Sequence, residues 1–286
     1  MKMKKIPAAV LLLCLLAFAG CGKDGTDAGT EVRTEEQADT RESGEEAIRK
    51  PETEYTVTGD GEYRSRTYRY EEYGELTELK SYAEDGTVLS ALFYSYTRDE
   101  NGRISEMTET APDGNTTYRY RYDENGRETG KTVLSGNAVT AEYEYAYDEY
   151  GNVTLERLKG PDGQLVSELF TEYTYDGDGR LLREQTRTGE AGGRISLLKY
   201  EYDEEDRLIR RFSGSLNDGE ENWTSEDRLR YDENGFVSEV EYLIGGSLNR
   251  RIVYENDAWG NPVRTVSLDE NGEVKSEVRT EYTVLP

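Results

Sequence analysis

YRYRYDENGR, residues 118–127, sets three tyrosines and three arginines around a tight turn in ten residues. In an extended chain, alternation sends Tyr118, Tyr120 and Tyr122 to one face and Arg119 and Arg121 to the other. The Asp-Glu-Asn-Gly run that follows is turn chemistry: Asp bonds to backbone two residues on, and Gly supplies positive φ at no steric cost. The stretch is therefore a strand feeding a hairpin. Near-copies recur as EYEYAYDEYGN (142–152), EYTYDGDGR (172–180), YEYDEEDR (200–207) and LRYDENGF (229–236). A repeat of this kind takes precedence over any division of 286 residues by a typical domain size.

Turn signals alternate between two types after residue 62. One is the Y-D-x-x-G form, with its glycine or equivalent at Gly74, Gly102, Gly126, Gly151, Gly179, Asp206, Gly235 and Gly260. The other is a shorter D-G, P-D-G or G-G form at Gly86, Gly114, Gly136, Gly163, Gly192, Gly219, Gly246 and Gly272. Turns of the first type lie 24 to 29 residues apart, so each period holds two strands and two turns. Asp206 replaces glycine because Asp visits the left-handed region more readily than most residues. The spacing predicts an all-β, curved antiparallel meander of about seventeen strands with no helix after residue 55. Leu76, Ile104, Val153, Leu181, Leu208 and Val237, two positions after the turn residue, join the tyrosines on one apolar side. The tyrosines are expected to stack from repeat to repeat. A flat sheet would leave that side wet, so curling should put it inside; whether the sheet closes on itself the pattern leaves open.

Composition agrees with a thin tyrosine-built sheet: 34% hydrophobic, 33% charged, 23 Tyr against 5 Phe. The net charge of -25 disfavours nucleic acid and anionic membrane surfaces as partners. With no histidine and two cysteines, Ser-His-Asp and Cys-His nucleophile systems and His or Cys zinc sites are excluded by inventory. No cofactor and no metal site is expected. The acidic tips Asp99, Asp123, Asp148, Asp176, Asp178 and Asp232 follow no spaced cation-loop motif and read as solvated turn carboxylates. A glycosidase needs two carboxylates at a defined separation, and among 60 acidic residues no pair is distinguished.

The chain opens MKMKKIPAAVLLLCLLAFAGC, a lysine-rich start, an apolar run from Ile6 to about Ala19, then Ala19 and Gly20 before Cys21. This is an export signal, too short for a comfortable membrane span. Its end resembles a bacterial lipobox, with Phe18 where leucine is usual. The resemblance implies a signal peptide over 1–20 and lipidation of Cys21 as the new N-terminus; the alternative is an ordinary secretory signal with an incidental cysteine. Residues 21–54 read as a disordered acidic tether, poor in large apolar side chains. Such a coil spans roughly 30 Å. The repeat domain is then 55–286.

The repeats resemble the YD-repeat family, also called RHS repeats, with a signature like Y-x-Y-D-x-x-G-R-L. YRYDENGR (120–127) and YTYDGDGRL (173–181) fit best. The copies at Tyr96–Gly102, with Arg98 in the second tyrosine place, and at Tyr254–Gly260, with Asn256 there, fit less well. The resemblance covers about residues 63–284. It implies antiparallel sheets that in large members wrap into a hollow shell around a toxin, and in others are linked to surface adhesion or carbohydrate binding. The run to EYTVLP286 departs from the toxin form, so the sheet architecture is expected to carry over and the toxin function is not.

Three tips just before the turn glycine hold an aromatic residue, Tyr73, Tyr150 and Trp259, and should share one rim of the sheet. Rings on a rim can stack on sugars or a partner protein, or fold back on a neighbouring strand. The expected function is a non-catalytic, lipid-anchored bacterial surface protein that binds or displays toward a glycan or surface protein. The alternatives are a structural spacer or stalk and, more remotely, a carboxylate-based glycan hydrolase.

Overall fold

The computed structural model describes residues 48–189 and 193–285. Cys21, the expected export segment, most of the expected tether and the expected turn at Gly192 fall outside the described residues. The first strands are β1 (Arg49–Thr58), β2 (Gly61–Tyr70), β3 (Leu76–Tyr82), β4 (Val88–Arg98), β5 (Ile104–Ala111) and β6 (Gly114–Tyr122). Next come β7 (Glu128–Ser135), β8 (Ala138–Tyr147), β9 (Val153–Lys159), β10 (Leu165–Tyr175), β11 (Leu181–Thr188) and β12 (Ile195–Tyr202). The last six are β13 (Leu208–Asn217), β14 (Glu220–Tyr231), β15 (Val237–Ile244), β16 (Ser247–Asn256), β17 (Pro262–Asp269) and β18 (Val274–Val284). No helix occurs among the described residues.

Every strand pairs antiparallel with its sequence neighbours, and β1 also pairs with β18, from Arg49↔Val284 to Val57↔Glu277. The meander is a closed barrel. The turn residues behave as their chemistry requires: Gly126 has φ 81° and Asp206 φ 63°. The eight Y-D turns share one rim, with Arg49 and Val284 between Trp259 and Tyr73, and the described shorter turns share the other. At the base of each Y-D hairpin the register slips, as between Arg121↔Gly130 and Tyr122↔Glu128. The same slip recurs in the other seven. A bulge bends its strand and increases local twist, so eight of them on one rim curl the sheet consistently toward closure.

The tyrosine face is the inner one. Burial pushes the phenols of Tyr68, Tyr120, Tyr200 and Tyr282 well above their ordinary value. On the alternate face the side chains of Arg69, Arg119 and Arg230 stay more than half exposed. That outer wall is laced with ion pairs between adjacent strands, such as Arg119–Glu106 at 2.8 Å and Arg264–Glu277 at 2.6 Å. Eighteen strands about 4.8 Å apart and tilted by about 40° enclose a ring roughly 35 Å across, too wide for side chains to fill. Accordingly the core is local: Val240, Ile252 and Tyr254, packed with Leu229, Val237 and Tyr242, all lie on the neighbouring strands β14–β16.

Composition alone misplaces one boundary. The strand count is eighteen rather than about seventeen, because β1 begins at Arg49, inside the stretch read as tether. RKPETEYTVT carries little apolar surface, so nothing local marks it as a strand. Its place comes from the partners on both sides and from Glu54, which is buried and accepts from Arg66 Nη1 (3.1 Å) and the Tyr68 hydroxyl (2.8 Å).

Candidate functional site

The Y-D rim is built from one side-chain circuit. In the hairpin after β6, Asp123 Oδ1 accepts the backbone N–H of Asn125 (2.9 Å) and Arg127 (2.9 Å), and Oδ2 accepts Arg127 Nε (2.7 Å). Desolvation works against the charged carboxylate, but the Arg127 backbone and guanidinium contacts outweigh it and hold Asp123 below its ordinary value. The same triple acceptance occurs at Asp99 with Arg103, Asp176 with Arg180 and Asp203 with Arg207.

Each of those arginines, fixed by its aspartate, lies over the tyrosine of the next repeat. Arg103 covers Tyr122 at 4.7 Å, Arg127 covers Tyr147 at 5.1 Å, Arg180 covers Tyr202 at 5.5 Å and Arg207 covers Tyr231 at 4.8 Å. The tyrosines reach back. Tyr122 donates to the Ile104 carbonyl (2.7 Å), Tyr202 to Leu181 (2.8 Å), Tyr231 to Leu208 (2.6 Å) and Tyr282 to Pro262 (3.2 Å). Tyr96 and Tyr173 do the same to Leu76 and Val153, and Asn256 makes the equivalent bond to Val237. The expected ring ladder is thus realised differently: a return strand separates successive tyrosine strands, putting rings roughly 10 Å apart, and a hydroxyl–carbonyl bond plus a guanidinium–ring contact bridge the gap.

The three expected site residues share this rim but are not brought together. Tyr73 is 72% exposed, Tyr150 50% and Trp259 59%. None stands free of a neighbour. Arg98 lies over Tyr73 at 4.8 Å, Arg49 over Trp259 at 3.5 Å, and Tyr150 packs on Tyr175 with ring centroids 4.6 Å apart. Sequence reading missed Arg49 because it fell in the tether, and Arg98 because it looked like a defective tyrosine position.

Beside Tyr150, at the Y-D rim, lies a shallow open groove of about 770 Å³, lined by Ala146, Leu155, Phe170 and Arg187 together with Tyr173 and Tyr175 of the tyrosine face. Register explains it: Ala146↔Leu155↔Phe170 is one cross-strand row. The equivalent rows Thr97–Glu106–Arg119, Glu201–Arg210–Arg228 and Glu255–Arg264–Arg279 are charged. The groove was invisible from the Y-D pattern because it depends on the variable positions between the tyrosines. No cluster of three or more metal-ligating side chains occurs among the described residues.

Residues 98–140 match the family model of the RHS repeat. That segment, from the end of β4 to the start of β8, carries the RHS repeat. It is 28% identical to the tRNA3(Ser)-specific nuclease WapA of Bacillus spizizenii over 69% of this chain, which spans only 9% of that relative's length. Among solved structures, TcdB2-TccC3 matches 81% of this chain and 19% of its own, at 12% identity and a TM-score of 0.30. A porin-like protein from Bacteroides uniformis matches 81% of this chain and 94% of its own, at 13% identity and a TM-score of 0.40. The closed eighteen-stranded architecture rests on the strand pairing described above.

Proposed function

We propose that this RHS-repeat barrel is an exported, lipid-anchored bacterial surface protein that binds a glycan or surface protein without catalysis. The observation that carries the binding reading is the groove at Leu155 and Phe170: a concave, mainly apolar site with a few polar groups at its edge is the usual form of a ligand site. Tyr150, Glu172 and Arg187, the last lying over the Phe170 ring at 4.6 Å, suit a flat, hydroxylated ligand or a short peptide. Charged rows on the outer wall would be costly against lipid, which favours a barrel held at the surface by Cys21 over one embedded in a bilayer.

The test uses residues 22–286, since a start at 55 would remove most of β1. Glycan-array and pull-down binding are compared with Leu155→Glu/Phe170→Arg, which copies the charged row Glu106–Arg119 found two hairpins away. Loss of binding with an unchanged circular dichroism spectrum is expected; undiminished binding would remove the groove from the proposal. A second reading, a structural spacer, is favoured by the rim aromatics packing on neighbouring repeats, and it is upheld if the parent protein retains nothing specific. Anchoring has its own test: Cys21→Ala should abolish lipid labelling and release the protein from membranes, and an intact peptide spanning Gly20 and Cys21 in mature protein would refute it.

A further inference from the structure

The rim aromatics are distributed unevenly. Four of the eight Y-D hairpins carry an arginine immediately after the turn residue, and their tips are Asn101, Asn125, Asp178 and Glu205. The other four have Glu75, Asn152, Phe236 and Asn261 in the arginine place. Tyr73, Tyr150 and Trp259 all fall in this second group, and in the remaining hairpin the arginine place is itself the aromatic Phe236.

Geometry supplies the reason. Without an arginine, the guanidinium–ring contact to the next repeat would be missing, and in each case a ring takes its place; at 152 the asparagine keeps only a hydrogen bond to the Tyr175 hydroxyl. Tyr150 takes the place of the guanidinium directly and covers Tyr175, the tyrosine that an arginine at 152 would have covered. At Tyr73 the partners are exchanged: the ring stands on the hairpin and the cation, Arg98, stands in the tyrosine place of the next repeat, where it also pairs with Glu75. At Trp259 the exchanged cation is Arg49, from β1 across the seam. Phe236 lies so close to the next hairpin that a Cβ on Gly260 would come within 2.5 Å of its ring.

We infer that Tyr73, Tyr150 and Trp259 are structural ties between repeats: each replaces a missing arginine, so that a Y-D hairpin lacking one is still joined to its neighbour by a ring contact. The contact between Trp259 and Arg49 joins the last Y-D hairpin to β1 across β18, so this tie depends on the first described strand. This inference is independent of the groove. Tyr150 can tie β8–β11 together whether or not anything binds beside it.

The experiment is a rescue. Tyr150→Asn, which installs the residue found at three other tips, should lower Tm by roughly 2–5 °C, from the usual worth of an aromatic pair and the Tm sensitivity of a domain this size. Adding Asn152→Arg to the same chain should recover most of that loss, because Asp148 is in place to hold the new guanidinium over Tyr175. Asn152→Arg alone should gain little, the place being already filled. An unchanged Tm for Tyr150→Asn, or a double variant no more stable than the single, overturns the inference. Should either chain fold poorly, the cycle of Arg49→Gln and Trp259→Asn provides the second readout: their Tm losses should be clearly less than additive, and full additivity overturns the inference equally.

Discussion

The hydroxyl–carbonyl bonds that join repeats can be removed one atom at a time. Tyr96, Tyr173 and Tyr231 donate to Leu76, Val153 and Leu208 at 2.7, 2.8 and 2.6 Å, and they sit on β4, β10 and β14, far enough apart that their losses should add. Replacing each with Phe keeps the ring and removes only the donor. A hydrogen bond of this kind is worth about 1 kcal/mol net, with a range of roughly 0.5–1.5 kcal/mol. The triple variant should therefore lose about 3 kcal/mol, a large part of a typical folding stability of about 5–15 kcal/mol. At about 2–4 °C per kcal/mol that is a Tm drop of roughly 6–12 °C. Urea unfolding followed by fluorescence and circular dichroism measures it, with Tyr73→Phe, on an exposed ring, expected to change stability by less than about 0.5 kcal/mol. A triple variant within about 1 kcal/mol of the parent would show that the hydroxyls do not carry the link.

Two of the hydroxyl–carbonyl phenols set an alkaline limit: burial pushes Tyr202 and Tyr231 up to about 12, so the folded state holds protons that the unfolded state releases near pH 10, and stability should fall between those values in a pH-dependent melting series. At the acid end the sign reverses. Asp99, held low mainly by Arg103, and Asp176, held low by the Arg180 backbone and guanidinium, contribute stability above about pH 4 that should be lost as pH drops through their lowered values. Glu54→Ala should cost roughly 2–3 kcal/mol, because Arg66 and Tyr68 lose a buried charged partner; hydrogen exchange should quicken first in β1 and β18, and uniform protection would refute the local role. Gly130→Ala should cost roughly 1–3 kcal/mol, since a Cβ there would meet the Tyr143 carbonyl oxygen at 2.3 Å; a neutral result in denaturant unfolding would mean the strands can part without penalty.

Features set within a few residues were legible in the chain. Positive φ at Gly126 or Asp206 is a property of that residue, alternation assigns Tyr118 and Arg119 to opposite faces, and the period follows from counting. Leu76, Ile104 and Val153 were placed on the tyrosine side by the same local logic; the structure adds that each pairs with residue 70, 98 or 147 across its hairpin. The exchange of arginine for an aromatic tip was also written in the chain, two positions apart, but its meaning required knowing that the arginine reaches the next repeat. Tertiary structure alone decided the rest. The strand at Arg49–Thr58 exists because β18, more than two hundred residues later, returns to pair with it, and no window of RKPETEYTVT contains that partner. Closure arises from twist and bulges summed over eighteen strands, so no single hairpin encodes it. The groove at Leu155 and Phe170 likewise required the register that sets three strands side by side, because a row across a sheet is assembled from residues that are distant in sequence.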